Sequence, residues 1–172
     1  MNRRMALVPP IDATPEEVKR LLEPIRHDVS IAVVAAGNAF AVGAIIRVAH
    51  NFLAREVILI GSEPHYEKAS MGMEKYETIV TVADEGAFLS HIGTRPLWVL
   101  EKEVARRPIT AVDAFPKGVV LCFGSERFGV PKSLLERADD VLAIPTYGVN
   151  HSLPLAIAVG ITLHEWTRRR YP

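Results

Sequence analysis

The sequence has one cysteine, no long apolar run and no net charge. Cys122 alone can form neither an internal disulfide nor a zinc site, and its apolar neighbours predict a small buried side chain. The longest apolar stretches, residues 31–36 and 153–163, are shorter than the about 18 residues of a membrane helix. The first residues include two arginines but no apolar segment typical of a signal peptide. We therefore expect a cytoplasmic protein that does not enter a membrane.

Composition places the chain among ordinary globular proteins. Its 172 residues correspond to about one domain, and 49% hydrophobic and 23% charged residues exclude a disordered chain, a collagen and a disulfide miniprotein. The 20 basic residues balance the 20 acidic ones, so total charge argues neither for nor against nucleic acid. A neutral protein that binds RNA must gather its basic residues on part of its surface.

Short β-branched apolar runs alternate with segments of helical spacing. The runs predict buried strands at residues 29–36, 57–60, 78–82, 97–100, 119–123 and 141–144. Helices are predicted from Thr14, at 42–54, 84–92 and 131–138, and from 155 to 169. This alternation predicts an α/β domain with a mainly parallel sheet over residues 29–172, preceded by a short helical extension at 1–28.

Ligands of parallel α/β sheets bind at the carboxyl ends of the strands. The loops to consider are therefore residues 37–42, 101–108, 124–131 and 145–154. None of them is a GxGxxG loop, a phosphate-binding P-loop or a GxSxG nucleophile turn. The sequence thus gives no support for a common phosphate cradle or for a serine hydrolase.

Three polar residues of these regions each allow a structural and a functional interpretation. Glu126 lies between Gly124 and Gly129, either as a solvated turn residue or at a ligand site. Ser152 precedes the last helix, where it either caps the helix or contacts an oxygen-rich ligand. Arg47 interrupts an apolar helix, either on its exposed face or as a planar fork for a phosphate.

Three motifs in order resemble the SpoU/TrmH branch of the SPOUT RNA methyltransferases. The first is Asn38-Ala-Phe-Ala-Val-Gly-Ala-Ile-Ile-Arg47, and the second, at 120–131, contains Phe-Gly-x-Glu-x-x-Gly. The third is Ile144-Pro145 followed by Ser152-Leu153 and an apolar helix that ends in His-Glu-Trp. The resemblance extends from about Val29 to Trp166.

The resemblance implies a fold that general topology rules do not predict, namely an α/β domain with a C-terminal trefoil knot. It also implies that S-adenosyl-L-methionine binds in the knot and that two copies form a homodimer in which each completes the other's site. No metal ion is implied. The residues expected to line the cofactor site are Leu100, Gly124, Ile144, Ser152 and Leu153.

The reaction implied by the resemblance is methyl transfer to a ribose 2′-hydroxyl of RNA. The family assigns activation of that hydroxyl to the arginine of the first motif, here Arg47. Because a guanidinium is hard to deprotonate, we expect Arg47 to hold a phosphate and to stabilise the developing alkoxide. Glu126, Ser152 and Asn38 are expected to orient the loop and the substrate.

The sequence departs from the family at two positions. The family usually has asparagine six residues before its arginine and two residues after its third-motif serine, where this chain has Ala41 and Pro154. Asn38 matches a second asparagine that often precedes the first. The rival hypothesis is a knotted RNA-binding protein with weak or no transferase activity, and a third is a nucleotide-binding α/β module without an RNA partner.

Runs of basic residues are the candidate RNA-binding surface. They are Arg3-Arg4, Lys19-Arg20, Arg26-His27, Arg106-Arg107 and Arg168-Arg169-Arg170. The extension at 1–28 is too short to be an RNA-binding module, so substrate choice must depend on the catalytic domain. We therefore favour tRNA over rRNA.

Overall fold

The computed structural model describes residues 8–34, 38–61, 66–150 and 152–170. In these ranges the strands are β1 (Ser30–Val34), β2 (Val57–Ile60), β3 (Ile79–Val82), β4 (Leu97–Leu100), β5 (Arg107–Pro108), β6 (Val120–Phe123) and β7 (Asp140–Ala143). The α-helices of the same ranges are α1 (Pro15–Leu22), α2 (Ala39–Asn51), α3 (Glu67–Ser70), α4 (Glu85–Ile92), α5 (Lys132–Arg137) and α6 (Leu155–Arg170).

The described strands form one sheet in the order β3-β2-β1-β6-β4-β7-β5, and every neighbouring pair is parallel. The predicted α/β class with a mainly parallel sheet is therefore confirmed. The chain runs outward from β1 to β3 and then crosses to the other side of β1. This order brings the carboxyl ends of β6, β4 and β7 side by side, so the loops that follow them share one edge of the sheet.

Two helical layers cover the sheet, and the pleat determines which side chains each layer meets. On one face, α2 and α6 bury Ile45, Ile46, Val159 and Leu163 against side chains such as Phe123. On the other face, α4 and α5 bury a second group against the alternate strand positions: Phe88, Ile92, Leu134 and Cys122 belong to it. Cys122 is fully buried, as predicted, and burial raises the pKa of its thiol to about 12. The thiol therefore stays protonated and takes no part in nucleophilic chemistry.

Several predicted boundaries are wrong. Helix α2 begins at Ala39, three residues before the predicted start, because the Asn38 side chain accepts a hydrogen bond from the Ala41 amide and caps the helix. Neither α3 nor β5 is predicted, since both are too short to show a periodic pattern. The end of the predicted strand at 29–36 lies partly outside the described residues.

The segment before β1 is joined to the domain by a buried ion pair. Arg26 donates from Nη1 to Glu77 Oε2 and to the Ala54 carbonyl, both at 2.8 Å, and from Nη2 to the Tyr76 carbonyl at 2.6 Å. The side chains of Arg26 and Glu77 are 5% and 0% exposed. His50 Nδ1 lies 2.8 Å from the other carboxylate oxygen of Glu77.

The loop between β6 and α5 closes on itself in a tight turn. The amides of Ser125 and Gly129 each donate to the carbonyl of the other, at 3.0 and 2.9 Å. A Cβ at Gly124 would lie 2.2 Å from the carbonyl carbon of Gly129 and 2.5 Å from the Val130 amide nitrogen. Only glycine fits at position 124, and this close approach fixes where Glu126 leaves the turn.

We expect Gly124→Ala to lower the free energy of unfolding by about 1–3 kcal/mol, because the added methyl group forces two backbone segments apart. Gly160→Ala in α6 is the matched control. Its Cβ meets only Val48 Cγ1, at 3.8 Å, and alanine in a helix interior should raise stability by about 0.5–1 kcal/mol. Urea denaturation of both variants measures the two changes, and equal effects would contradict the steric argument.

Candidate functional site

A cavity of about 320 Å³ opens at the carboxyl edge of the sheet, above β4, β6 and β7. Its wall includes all five residues that the sequence suggested for cofactor binding: Leu100, Gly124, Ile144, Ser152 and Leu153. Three loops deliver them, which explains why residues from 100 to 153 meet in one place. The volume lies within the about 300–1,000 Å³ typical of small-molecule sites.

The wall of the cavity combines apolar and polar residues. The partly exposed Leu155 and Ala158 of α6 supply further apolar surface, whereas Phe123 and Leu142 at the strand ends border the cavity but are only 1% and 0% exposed. Ser125, Thr146 and the carboxylates of Glu101 and Glu103 add polar groups. Such a lining suits a ligand with a flat apolar part and a polar, positively charged part.

Glu126 connects three elements at the mouth of the cavity. Its Oε2 accepts a hydrogen bond from Asn38 Nδ2 at 2.5 Å, and its Oε1 accepts one from the Leu155 amide at 3.1 Å. The carboxylate thus lies at the N-termini of both α2 and α6, where negative charge complements the helix dipoles. Glu126 is exposed and also lines the cavity, so both of its interpretations remain open.

Asn38 takes part in the same connection. Its Oδ1 accepts from the Ala41 amide at 2.9 Å, while its Nδ2 donates to Glu126. Ala41 itself is 6% exposed and contributes only a methyl group. The polar contact to Glu126 is therefore made from position 38 in this chain.

Ser152 lies on the cavity wall, and its amide donates to Asn150 Oδ1 at 2.9 Å. Pro154 directly precedes α6, and its carbonyl accepts the first helical hydrogen bonds, from Ile157 and Ala158 at 2.9 and 3.1 Å. Proline suits this place because it has no amide that needs a partner. The neighbouring His151 lies outside the described residues.

Arg47 is not brought to this cavity within one chain. It is exposed on α2, does not line the cavity, and has no hydrogen-bond or ion-pair partner in the part of the chain that the structure describes. Phe40, seven residues earlier and so on the same helix face, is 65% exposed. The exposed-face interpretation of Arg47 is thus confirmed for the single chain.

Two residues near the cavity were missed by sequence reasoning, although their loop was singled out. Glu101 Oε2 accepts from the Val130 amide at 3.2 Å and so fixes the turn at 124–130 from the β4 side. Lys102 Nζ donates to Thr146 Oγ1 at 3.1 Å and joins the loops after β4 and β7. Their position after a strand was the only available signal, because their partners are distant in sequence.

Most of the basic runs do not form a free basic face. Arg26 is buried, Arg107 pairs with Asp140 at 2.7 Å, and Arg168 pairs with Glu165 at 2.9 Å. Arg169 donates to the Thr110 carbonyl at 2.8 Å, and Arg170 lies 3.7 Å from Asp28. Arg3 and Arg4 lie outside the described residues.

The described residues contain neither a cluster of metal ligands nor a membrane-spanning helix. Within ranges 8–34, 38–61, 66–150 and 152–170, no group of three or more His, Cys, Asp or Glu side chains is arranged to hold a metal ion. No helix in those ranges is long and apolar enough to span a bilayer.

Solved structures of RNA-modifying enzymes share the fold. The TrmH/SpoU tRNA-modifying enzyme of Aquifex aeolicus matches 90% of this chain and 83% of its own, with a TM-score of 0.75 and 26% identity. An AdoMet-bound rRNA methyltransferase of Sinorhizobium meliloti matches 88% of this chain and 61% of its own, with a TM-score of 0.74 and 27% identity.

Comparison of sequences gives the same result. A 23S rRNA (adenosine(1067)-2′-O)-methyltransferase of Streptomyces laurentii is 29% identical over 158 residues, which are 86% of this chain and 57% of the relative. The chain spans about half the length of the curated relatives that it matches over most of its own length. The model of the SpoU rRNA Methylase family matches residues 28–164. The chain therefore belongs to the SpoU rRNA methylase family.

Proposed function

We propose that this protein transfers a methyl group from S-adenosyl-L-methionine to a ribose 2′-hydroxyl of RNA. The proposal depends on one observation: the same cavity at the carboxyl edge of the sheet is lined by Leu100, Gly124, Ile144, Ser152 and Leu153. Family membership and the AdoMet-bound relative support it. An RNA substrate is consistent with action in the cytoplasm.

The cavity residues fit this cofactor. The partly exposed Leu100, Leu153 and Leu155 provide apolar surface for an adenine ring, and the adjacent loop backbone offers hydrogen-bonding groups. The carboxylates of Glu101 and Glu103 complement a cofactor that carries a sulfonium and an ammonium group. When bound, S-adenosyl-L-methionine supplies an already electrophilic methyl carbon.

The protein's part is alignment and charge stabilisation. Ser152, which lines the cavity, orients the substrate hydroxyl in this proposal. Glu126 holds the N-termini of α2 and α6 at fixed positions around the cavity. It therefore acts as a positioning residue, together with Asn38.

Arg47 supplies the cation near the reacting hydroxyl, but from a second copy of the chain. The support is its location: Arg47 is exposed, has no hydrogen-bond or ion-pair partner among the described residues, and does not line its own chain's cavity. Phe40 and Ile157, 65% and 53% exposed on the neighbouring helices α2 and α6, provide apolar surface for such a homodimer. Arg47 then clamps a substrate phosphate and stabilises the developing alkoxide.

We further propose the trefoil knot that the resemblance implies. It is supported by two contacts between the long loop 101–119 and the last part of the chain. Lys102 Nζ donates to Thr146 Oγ1 before α6, and Arg169 near the end of α6 donates to the Thr110 carbonyl. Residues 144–170 would then pass through this loop. An experimental structure in which the backbone is not threaded through this loop, so that pulling both ends would leave no knot, would contradict the proposal.

We keep tRNA as the favoured substrate class. The chain covers 83% of the tRNA-modifying relative from Aquifex aeolicus, but only 57–61% of the two rRNA methyltransferases described above. The rival hypothesis, an RNA-binding protein with weak or no transferase activity, is favoured by Ala41 and Pro154. Against it, Asn38 supplies the contact to Glu126 that Ala41 cannot make.

The experiment is transfer of tritiated methyl groups from S-adenosyl-L-methionine to fractionated tRNA and rRNA, followed by mapping of the product. We expect incorporation into a ribose 2′-O. Cofactor binding without transfer to either fraction would favour the RNA-binding alternative.

Arg47→Lys should reduce kcat at least tenfold, because a point charge does not replace a bidentate fork. Calorimetric affinity for S-adenosylhomocysteine should stay unchanged, since the proposed partner of Arg47 is a substrate phosphate and not the cofactor. Near-wild-type turnover would remove Arg47 from the mechanism.

Mixing two inactive variants tests whether Arg47 acts across a dimer. Arg47→Ala and Ser152→Phe, which fills the cavity, should each be inactive as homodimers. After exchange of subunits in equal amounts, half of the dimers are mixed and each has one intact composite site, so roughly a quarter of wild-type activity should return. No recovery despite demonstrated exchange would place Arg47 and the cavity in the same chain.

Asn38→Ala should lower stability by about 1 kcal/mol through loss of the helix cap and lower kcat more than it changes KM. Asn38→Asp separates these roles, because aspartate keeps the cap but cannot donate to Glu126. We expect Asn38→Asp to keep the cap's hydrogen bond and to lose activity, because its carboxylate repels that of Glu126 instead of donating to it. Normal activity of Asn38→Asp would mean that the Asn38–Glu126 contact does not position the site.

A further inference from the structure

A second cavity, of about 440 Å³, adjoins the first on the side of β5 and β7. The two share Lys102, Ile144 and Thr146, so they are neighbours, and we call the two together the groove. Three cationic side chains line the second cavity, those of Lys102, Arg106 and Arg107, and no acidic residue does among those described. The acidic residues Glu101 and Glu103 line only the first cavity.

Two of these three positive charges have no acidic partner. Arg107 is neutralised, since its Nε and Nη2 both donate to Asp140 Oδ2, at 2.9 and 2.7 Å. Lys102 donates only to the Thr146 hydroxyl, and Arg106 donates only from Nη1 to the Asp139 carbonyl, at 2.9 Å. Within the described ranges, the second cavity therefore has a local charge of about +2.

Hydrogen-bond donors remain available at the same place. A lysine ammonium has three N–H donors and a guanidinium has five, of which Lys102 and Arg106 each use one. The Thr146 hydroxyl accepts from Lys102 and can still donate its own proton. The groove thus offers several donors to a group with acceptor oxygens and negative charge.

The backbone that presents these donors is fixed at both ends. The Glu101 amide donates to the Leu142 carbonyl at 3.1 Å, and the Arg106 amide donates to the Val141 carbonyl at 2.8 Å. Arg107 and Pro108 then pair with β7. Little conformational freedom of this backbone is left to be lost when a ligand binds.

We propose that Lys102 and Arg106, with Thr146, form a subsite for an oxyanion beside the methyl-donor cavity. This inference rests on the proposed function, because it takes its ligand from that reaction. Two sources carry the required chemistry: a backbone phosphate of the RNA next to the target ribose, or the carboxylate of the cofactor's methionine part. Because Lys102 and Thr146 line both cavities, either group can contact the subsite while the rest of its molecule occupies the first cavity.

The test is the double variant Lys102→Ala/Arg106→Ala, with Arg55→Ala/Lys117→Ala as its matched control. The control removes one lysine and one arginine that are exposed next to the amino ends of β2 and β6, away from the groove. The first arm measures anisotropy of labelled tRNA at several KCl concentrations with saturating S-adenosylhomocysteine. The second arm titrates S-adenosylhomocysteine without RNA, and then methylthioadenosine, which lacks the carboxylate.

An RNA phosphate in the subsite predicts about tenfold weaker tRNA binding by the double variant. It also predicts a salt slope, log K against log [KCl], reduced by about 1, with little change in the control. A cofactor carboxylate predicts instead about tenfold weaker S-adenosylhomocysteine binding, an unchanged tRNA salt slope and unchanged affinity for methylthioadenosine. Either result supports the subsite and identifies its occupant.

Unchanged affinities in both arms, or equal losses in the control, overturn the subsite. Wild-type protein that binds neither tRNA nor S-adenosylhomocysteine overturns the subsite and the proposed function together. Methyl transfer by the wild type with a double variant that binds normally leaves the function and removes the subsite. If the wild type transfers no methyl group but the double variant binds more weakly, the subsite stands and the proposed function is removed.

Discussion

The carboxylate of Glu126 holds together the parts of the molecule that surround the candidate site. It accepts one hydrogen bond from the side chain that caps α2 and another from the first amide of α6. The turn that carries it is itself closed by paired backbone hydrogen bonds and by the contact of Gly124 with Gly129. The carboxylate of Glu126 therefore couples the first helix after β1, the turn after β6 and the last helix.

This arrangement separates two tasks within one chain. The cavity is built by loops that lie on three adjacent strand ends, so its shape depends on the central sheet. Two of the cations are elsewhere: Arg47 lies on an exposed helix face, and Arg106 lines only the second cavity, whereas Lys102 lines both. The proposed RNA substrate is large and negatively charged, as contact with both the cavity and these cations requires.

Sequence patterns predicted the main strands because buried parallel strands are uninterrupted apolar runs. Val57–Ile60 is four consecutive apolar residues and is buried throughout. Strand β5 was not predicted. Arg107–Pro108 is stabilised by backbone pairing with β7 and by the Arg107–Asp140 ion pair, and neither contact produces a pattern in the local sequence. The capping role of Asn38 was likewise missed, since the helical spacing was counted from the first aliphatic residues.

The cavity residues were predicted from the resemblance of three ordered motifs to a known family and not from the periodicity of apolar residues. What the sequence could not provide was the position of β4 between β6 and β7, because strand order is a property of the whole sheet. Without that order, nothing places Lys102 beside Thr146 or Glu126 beside Leu155. The burial of Arg26 in one of the basic runs was missed for the same reason, because only the folded chain brings it beside Glu77.

The ion pair of Arg26 bears on where the folding unit begins. The predicted boundary at residues 28 and 29 falls just after the guanidinium that neutralises the fully buried Glu77. A chain shortened to that boundary would leave this carboxylate in the interior with His50 as its remaining side-chain partner, and an uncompensated buried charge costs about 3–5 kcal/mol. The segment before residue 29 is in this respect a structural component of the domain. Its loss during evolution would first require replacement of Glu77, whose charge Arg26 neutralises.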